Sequence, residues 1–254
     1  MAEDIVPALY ERIENELRER NAGDKTIRLI FREVEGGTAT LPRGHTYAER
    51  LGINLSDTLL NNLTAETLPG GRLWWNIADR TVRPLLMQNY EAVNALASQI
   101  QQGIDERENI GLATVRGVDP DARVRGLVEK ATGEQELEMA RKWLEEPIIN
   151  CTESFFDDWN IANAEARYEA GMNPRIVRIA HPACCSWCAR LAGDYDYTEL
   201  GRGADVYKRH LFCRCTVTFE NGSMRQDIWT RQTWNAEEIA EREAHGLALD
   251  IRRG

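Results

Sequence analysis

The sequence predicts a predominantly helical α+β fold, in which a helical N-terminal region is followed by a small α+β module that contains a β-hairpin and is held together by zinc. Three observations lead to this prediction. Apolar residues recur at helical spacing over most of the first 170 residues. The clearest β-type segments come after residue 173, and five of the six cysteines lie within residues 184–215. We place the boundary at residue 150, between a helical region 1–150 and a module 151–254.

The overall charge limits the classes of function. The chain has 254 residues, with 31 Lys or Arg and 41 Asp or Glu, so its formal net charge is −10 at pH 7. A protein with this charge does not coat nucleic acid through bulk electrostatics, and any DNA contact needs a local basic patch. No apolar run is long enough to cross a bilayer, and residues 1–21 lack the pattern of a secretory signal. We therefore expect a reducing cytoplasm, where six cysteines are unlikely to form disulfides.

The N-terminal helices follow from apolar spacing. A first helix, which ends near Gly23, is predicted from four residues spaced four apart: Ile5, Leu9, Ile13 and Leu17. The segment 26–34 is compatible with either a strand or a helix. A further helix is predicted over 47–63, and Ser56-Asp57 inside it could cap a new helix.

The central part of the chain is predicted to be helical as well. The longest helix covers residues 73–110, with a kink or break at Pro84, because proline lacks the amide proton of the helical hydrogen bond. Three shorter helices follow, over 122–131, 134–145 and 154–170.

The β-type segments lie in the C-terminal part. Residues 175–180 alternate well enough for a strand, and residues 216–220 form a second β-rich segment. The second segment is followed by Asn221-Gly222, a dipeptide typical of tight hairpin turns. We therefore predict a β-hairpin whose return strand lies at residues 227–230.

The cysteine cluster predicts a metal site. Cys185 and Cys188 form a C-x-x-C pair, a spacing that lets two thiolates bind one ion from a tight turn. His210, Cys213 and Cys215 provide a second group of donors just before the second strand. A tetrahedral zinc site needs four of these five residues. We favour Cys185, Cys188, His210 and Cys213, and a four-cysteine set with Cys215 in place of His210 stays open.

Other interpretations of the cysteines are a redox pair and a set of buried, unreactive thiols. Cys184 is set aside because it is adjacent to Cys185, and Cys151 is expected in the core. A catalytic zinc is disfavoured, because neither H-E-x-x-H nor H-x-E with P-C-x-x-C occurs in the sequence. The sequence therefore predicts structural zinc and no enzyme activity.

A small basic patch gives the alternative functions. Lys208, Arg209 and His210, together with Arg214, could contact a phosphate backbone or form a solvated loop. One alternative function is a zinc-stabilised DNA-binding module. Another is a small metal-dependent nuclease or toxin that uses His210 with Asp205.

Two segments of the cysteine region resemble a known family. Residues 181–197 contain the C-x-x-C pair followed by Leu-Ala-Gly, and residues 205–217 contain His-Leu-Phe-Cys-Arg-Cys. The order of these motifs resembles that of phage minor capsid proteins of the Mu F-like, or phage head morphogenesis, family. Residues 68–78 (Leu-Pro-Gly-Gly-Arg-Leu-Trp-Trp-Asn-Ile-Ala) resemble the helical part of one subgroup of that family.

This resemblance implies a virion protein of low copy number, located in the head near the portal. It implies a role in head assembly or DNA delivery, without established catalysis in the core domain. The expected partners are the phage portal and major capsid proteins, with packaged DNA as a further contact of the basic patch. No membrane and no small-molecule substrate is expected, and the protein would occupy the host cytoplasm during assembly.

Overall fold

A computed structural model describes residues 4–201, 203–222, 225–226 and 233–234 of the chain. The predicted fold class is confirmed, because helices form most of these residues and a small antiparallel sheet lies in the C-terminal part. The α-helices are α1 (Val6–Gly23), α2 (Lys25–Glu35), α3 (Leu41–Asn62), α4 (Trp75–Glu108), α5 (Asp121–Gly133), α6 (Leu137–Leu144), α7 (Glu146–Glu169) and α8 (Ser186–Arg190). The strands are β1 (Arg175–Ile179), β2 (Gly193–Asp196), β3 (Thr216–Glu220), β4 (Arg225–Gln226) and β5 (Thr233–Trp234). No helix in these ranges is both long enough and apolar enough to span a membrane.

The ambiguous segment 26–34 lies in helix α2. The carboxylate of Asp24 accepts the backbone N–H groups of Thr26 and Ile27 at 2.8 and 3.1 Å, which caps the helix N-terminus. Ile27 and Ile30 are buried, and their spacing of three places them on one helix face. The cap and the buried face therefore both favour a helix over a strand.

Helix α3 is continuous across the position where a second cap was predicted. Ser56 is buried inside the helix, and its hydroxyl donates to the carbonyl oxygen of Leu144 in α6 at 2.8 Å. Leu55 and Leu59 on the same helix are fully buried. The predicted internal cap is wrong because the serine hydroxyl bonds to another helix and not to its own backbone.

Helix α4 also continues through Pro84, so of the predicted kink or break the break is absent, and the kink stays a prediction. An internal proline costs a helix about 3 kcal/mol or more. The neighbouring residues Val82, Leu85 and Leu86 are buried in the core, and their packing offsets this cost.

The sheet has the strand order β2-β1-β3, with both pairs antiparallel. Strand β3 pairs with β1, with Val177 opposite Thr218. Strands β4 and β5 form a separate antiparallel pair. The predicted return strand 227–230 lies outside the described residues, so the hairpin after Asn221-Gly222 stays a prediction.

Asn221 and Gly222 anchor the end of β3 to the helices. The buried Asn221 side chain accepts from Arg167 at 2.6 Å and donates to Asp105 at 3.1 Å, which joins β3 to α7 and α4. Gly222 has a positive φ of 76°, and a Cβ atom there would clash with the carbonyl oxygen of Asn173. Gly222 therefore allows its own backbone to lie close to the backbone of Asn173.

The sheet and the helices share one buried core. Val217 and Phe219 of β3 belong to the same buried cluster as Leu55 of α3 and Trp159 of α7. Helix α7 itself crosses residue 150. The division of the chain into regions 1–150 and 151–254 stays a prediction.

Candidate metal centre

The candidate ligands come from two segments that β1 and β3 bring together. Cys185 is the N-cap of α8, and Cys188 lies three residues later in the same helical turn. The thiol of Cys185 accepts the backbone N–H of Cys188 at 3.5 Å, which fixes the pair locally. His210, Cys213 and Cys215 follow the 3-10 helix Asp205–Tyr207 and precede β3. The C-x-x-C spacing thus places two sulfurs on one side of a helical turn, facing the second segment.

All five predicted ligands are brought together. His210 Nε2 lies 3.3 Å from the sulfur of Cys185 and 3.1 Å from that of Cys188. The sulfurs of Cys188 and Cys213 are 3.7 Å apart. Two groups of three donors, each with its atoms within 4.8 Å of one another, could hold a metal ion: Cys185, Cys188 and His210, and Cys188, Cys213 and Cys215. Cys188 belongs to both groups.

The separations can be compared with those around zinc. Zinc–sulfur bonds of about 2.3 Å and zinc–nitrogen bonds of about 2.0–2.1 Å give tetrahedral edges of about 3.5–3.8 Å. The 3.7 Å between Cys188 and Cys213 matches such an edge, and the two contacts of His210 are slightly shorter. The donor set therefore suits a small tetrahedral ion with sulfur and nitrogen ligands.

The imidazole of His210 is oriented for binding. Its Nδ1 lies 2.6 Å from the carbonyl oxygen of Leu211, which is the geometry of a hydrogen bond donated by Nδ1–H. In that tautomer, the lone pair of Nε2 faces the sulfurs of Cys185 and Cys188. A ligating histidine typically has its other ring nitrogen held in this way.

The thiols differ in their surroundings. Cys188, Cys213 and Cys215 are buried, whereas Cys185 is exposed. Burial raises the pKa of Cys188 to about 12, and burial also raises the pKa of Cys215. The backbone N–H of Cys188 lowers the pKa of Cys185 to about 7. A metal that binds Cys188 must therefore displace a proton from its thiol.

Arg178 is a residue of this site that the sequence analysis missed. It lies on β1 with its side chain buried, and its Nη2 is 3.5 Å from the sulfur of Cys188 and 3.9 Å from that of Cys213. The sequence pattern that could have identified Arg178 is strand alternation, because Arg178 shares the buried face of β1 with Ile176. An arginine on that face needs a buried partner.

The predicted basic patch is largely turned toward the protein. Arg209 binds both carboxylate oxygens of Asp157 on α7, at 2.8 and 3.0 Å. Arg214 binds Glu146 at the start of α7, at 2.7 and 2.9 Å. Lys208 is exposed and forms a surface ion pair. These contacts attach the loop that carries His210 and Cys213 to the helical body.

The carboxylate of Glu153 lies beneath that loop and is fully buried. Burial raises the pKa of Glu153 to about 8, although Arg209 and Arg214 act in the opposite direction. His45 lies 3.6 Å from Glu153, and burial together with the two arginines lowers the pKa of His45 well below its usual value. At this interface the positive charges of Arg209 and Arg214 therefore lie beside Glu153 and His45, whose shifted pKa values favour their neutral forms.

The remaining cysteines agree with their interpretation from the sequence. Cys151 lies buried in the main core on α7. Burial raises its pKa to about 12, so the thiol is neutral and unreactive at physiological pH. Cys184 is half-buried against the sulfur cluster but belongs to neither group of potential ligands.

Comparisons with known proteins do not place the chain in a family. No family model, no curated protein and no solved structure matches this chain. The function of the chain is therefore inferred from the geometry of the site and from the motif resemblance.

Proposed function

We propose that this chain is a structural minor capsid protein of a tailed phage or prophage, in which a zinc ion holds the C-terminal module in shape. The observation that carries the proposal is the convergence of five donors from two distant segments, with Cys188 in the centre. Helices α1–α7 would then provide the body that contacts the portal or the major capsid protein. The chain would have no catalytic activity of its own.

The proposed zinc ligands are Cys185, Cys188, His210 and Cys213. Cys185, Cys188 and His210 already form one compact group, and Cys213 adds the sulfur that lies 3.7 Å from Cys188. The hydrogen bond at Nδ1 of His210 favours this residue over Cys215 as the fourth ligand. Four protein ligands fill a tetrahedral shell, which is the arrangement of structural zinc.

The role in the virion is supported by the order of motifs in residues 181–217. It is also supported by two exposed tryptophans in residues 68–78, the other segment that resembles the family. Trp74 and Trp75 expose 43% and 51% of their surfaces at the start of α4. Exposed aromatic side chains of this size are enriched at protein–protein contacts. The inward orientation of Arg209 and Arg214 favours protein partners over packaged DNA, because it removes two of the cations that would bind phosphate.

Elemental analysis tests the metal site directly. Protein purified without chelator should contain about one zinc per chain, and Cys213→Ser should lose most of it. Cys215→Ser should retain most of the zinc, as should Cys184→Ser, the matched control beside the site. Zinc lost from Cys215→Ser but retained in Cys213→Ser would reject the proposed ligand set. If wild-type protein contains no metal after it has been refolded in the presence of zinc, the proposed site is rejected.

Particle association tests the role in the head. Co-expressed with the portal and major capsid proteins of the same phage, the chain should sediment with assembled heads. Replacement of Trp74 and Trp75 by serine should reduce this association, whereas Trp143→Ser, at a half-buried position, provides the control for loss of a tryptophan. A chain that stays free of heads and does not bind the portal does not have this role. Cleavage of plasmid or RNA that disappears in His210→Ala would instead indicate the nuclease.

A further inference from the structure

Arg178 is a buried cation without a carboxylate partner among the residues that the structure describes. Its side chain is about 97% buried, since its relative exposure is 3%, and no ion pair to an Asp or Glu is formed in those ranges. Its Nε has no hydrogen-bond partner either. A buried charge is costly unless an opposite charge or a set of dipoles compensates it. The surroundings of the guanidinium therefore indicate where its counter-charge lies.

The groups around Arg178 belong to the metal site. Its Nη2 faces the sulfurs of Cys188 and Cys213, at 3.5 and 3.9 Å. Its Nη1 donates to the carbonyl oxygen of Lys208 at 3.1 Å, and its guanidinium carbon lies 5.7 Å from the centre of the Trp187 ring. The guanidinium thus contacts both ligand-bearing segments at once, and the nearest groups that can become negative are the two thiols.

The charge of the bound site depends on the ligand set. Three thiolates, one neutral imidazole and Zn²⁺ carry a net charge of minus one, which a single guanidinium neutralises. Four thiolates and Zn²⁺ carry minus two, so one guanidinium would leave one negative charge uncompensated at a site where three of the four thiolates are buried. Since uncompensated buried charge is unfavourable, one arginine matches the set with His210 better than the set with Cys215.

We propose that Arg178 is a positioning residue of the metal site, which supplies the counter-charge for the thiolates of Cys188 and Cys213 and thereby selects three thiolates and one imidazole. This inference rests on the proposed metal site. N–H donors to ligating sulfur belong to the outer shell that tunes affinity in metal proteins, and loss of such a group typically weakens metal binding by about 10–100-fold. The effect comes from the charge and not only from the volume of the side chain.

Two variants separate charge from shape. Arg178→Lys keeps the positive charge, and Arg178→Gln keeps a hydrogen-bond donor without charge. Arg175→Gln is the matched control on the same strand, because Arg175 is half-exposed and pairs with Asp194 at 2.8 Å. The measurement is zinc affinity by competition with a chromophoric chelator at one pH. Cobalt-substituted protein reports the number of thiolate ligands through its sulfur-to-metal charge-transfer absorption.

Arg178→Gln is expected to bind zinc about 10–100-fold more weakly than wild type. Arg178→Lys should recover at least part of the loss, and Arg175→Gln should stay within about twofold. Wild-type cobalt protein should show the absorption of three thiolates. Equal losses in the Lys and Gln variants would assign Arg178 a packing role and overturn the inference, as would unchanged affinity in the Gln variant. A four-thiolate spectrum in wild type would overturn the charge match, whereas wild-type protein that binds no metal would refute the site itself.

Discussion

Removal of the metal is expected to unfold the segment between β1 and β3 while helices α1–α7 stay folded. Val206 is the buried aliphatic residue of that segment among those described, and the other hydrophobic residues that pack against the main core are only partly buried: Tyr195, Tyr197, Leu200, Ala204 and Tyr207. The three buried thiols form a separate small cluster, and the side chains packed against it, Cys184 and Trp187, are only partly buried. Without an ion, little apolar burial is left to offset the entropy of ordering the segment.

The expected loss of stability on metal removal follows from the linkage between zinc binding and folding. At free zinc about a thousandfold above the dissociation constant, binding stabilises the folded module by about 4 kcal/mol. For a chain of this length, that corresponds to a fall in melting temperature of about 10 °C when a chelator is added. The loss is limited because Val217 and Phe219 anchor β3 in the helical core independently of the ion.

Cys188→Ser is the variant that tests this expectation, because Cys188 belongs to both groups of potential ligands. It should lower the melting temperature about as much as chelator does, and chelator should then have no further effect. Limited proteolysis should cut within residues 181–215, and far-UV circular dichroism should retain most of the helical signal. Cys184→Ser is the control. Identical melting of wild-type protein with and without chelator would contradict the prediction.

Loss of Arg209 is expected to destabilise the whole protein. The guanidinium of Arg209 joins the metal-bearing loop to α7 through Asp157, and both side chains are at most 10% exposed. Truncation of one member of a buried ion pair leaves the other charge uncompensated, which typically costs about 3–5 kcal/mol. Glu153 adds little to this cost near neutral pH, because burial raises its pKa to about 8 and keeps much of it protonated.

The measurement is urea denaturation of Arg209→Met, which keeps much of the side-chain length without the charge. Its free energy of unfolding should fall by about 3–5 kcal/mol. The double variant with Asp157→Asn should recover most of the loss, since both charges are then removed. Arg80→Met is the control, because the pair of Arg80 with Asp4 is exposed and such pairs contribute only about 0–1 kcal/mol. Equal effects of Arg209→Met and Arg80→Met would refute the role assigned to the buried pair.

Much of the secondary structure and the membership of the metal cluster could be predicted from the sequence. Apolar spacing located α1, and alternation located β1 and β3 at the correct residues. The spacing of Cys185 and Cys188, followed by a second group near His210, was enough to identify the donors that the fold brings together. These features are local, because residue type and spacing along one segment determine them.

The features that could not be predicted involve partners distant in sequence. Ser56 bonds to α6 instead of capping its own helix, and the pairing of β3 with the earlier strand β1 joins segments about 40 residues apart in the chain. For Ser56, a tertiary contact outweighs a weak local preference. The helix across Pro84 has the same cause, since core packing around the proline offsets its local cost.

By itself, the sequence determined that this is a mainly helical protein with five sulfur and nitrogen donors available for a metal. The tertiary structure decided how the charges around those donors are arranged. It buried Arg178 against two of the sulfurs and turned Arg209 toward Asp157. From the sequence alone, an arginine in a polar segment such as that of Arg209 is expected to be exposed to solvent. The physical reason is that the free energy of a charge depends on its burial and on which opposite charges surround it, and both are set by segments far apart in the chain.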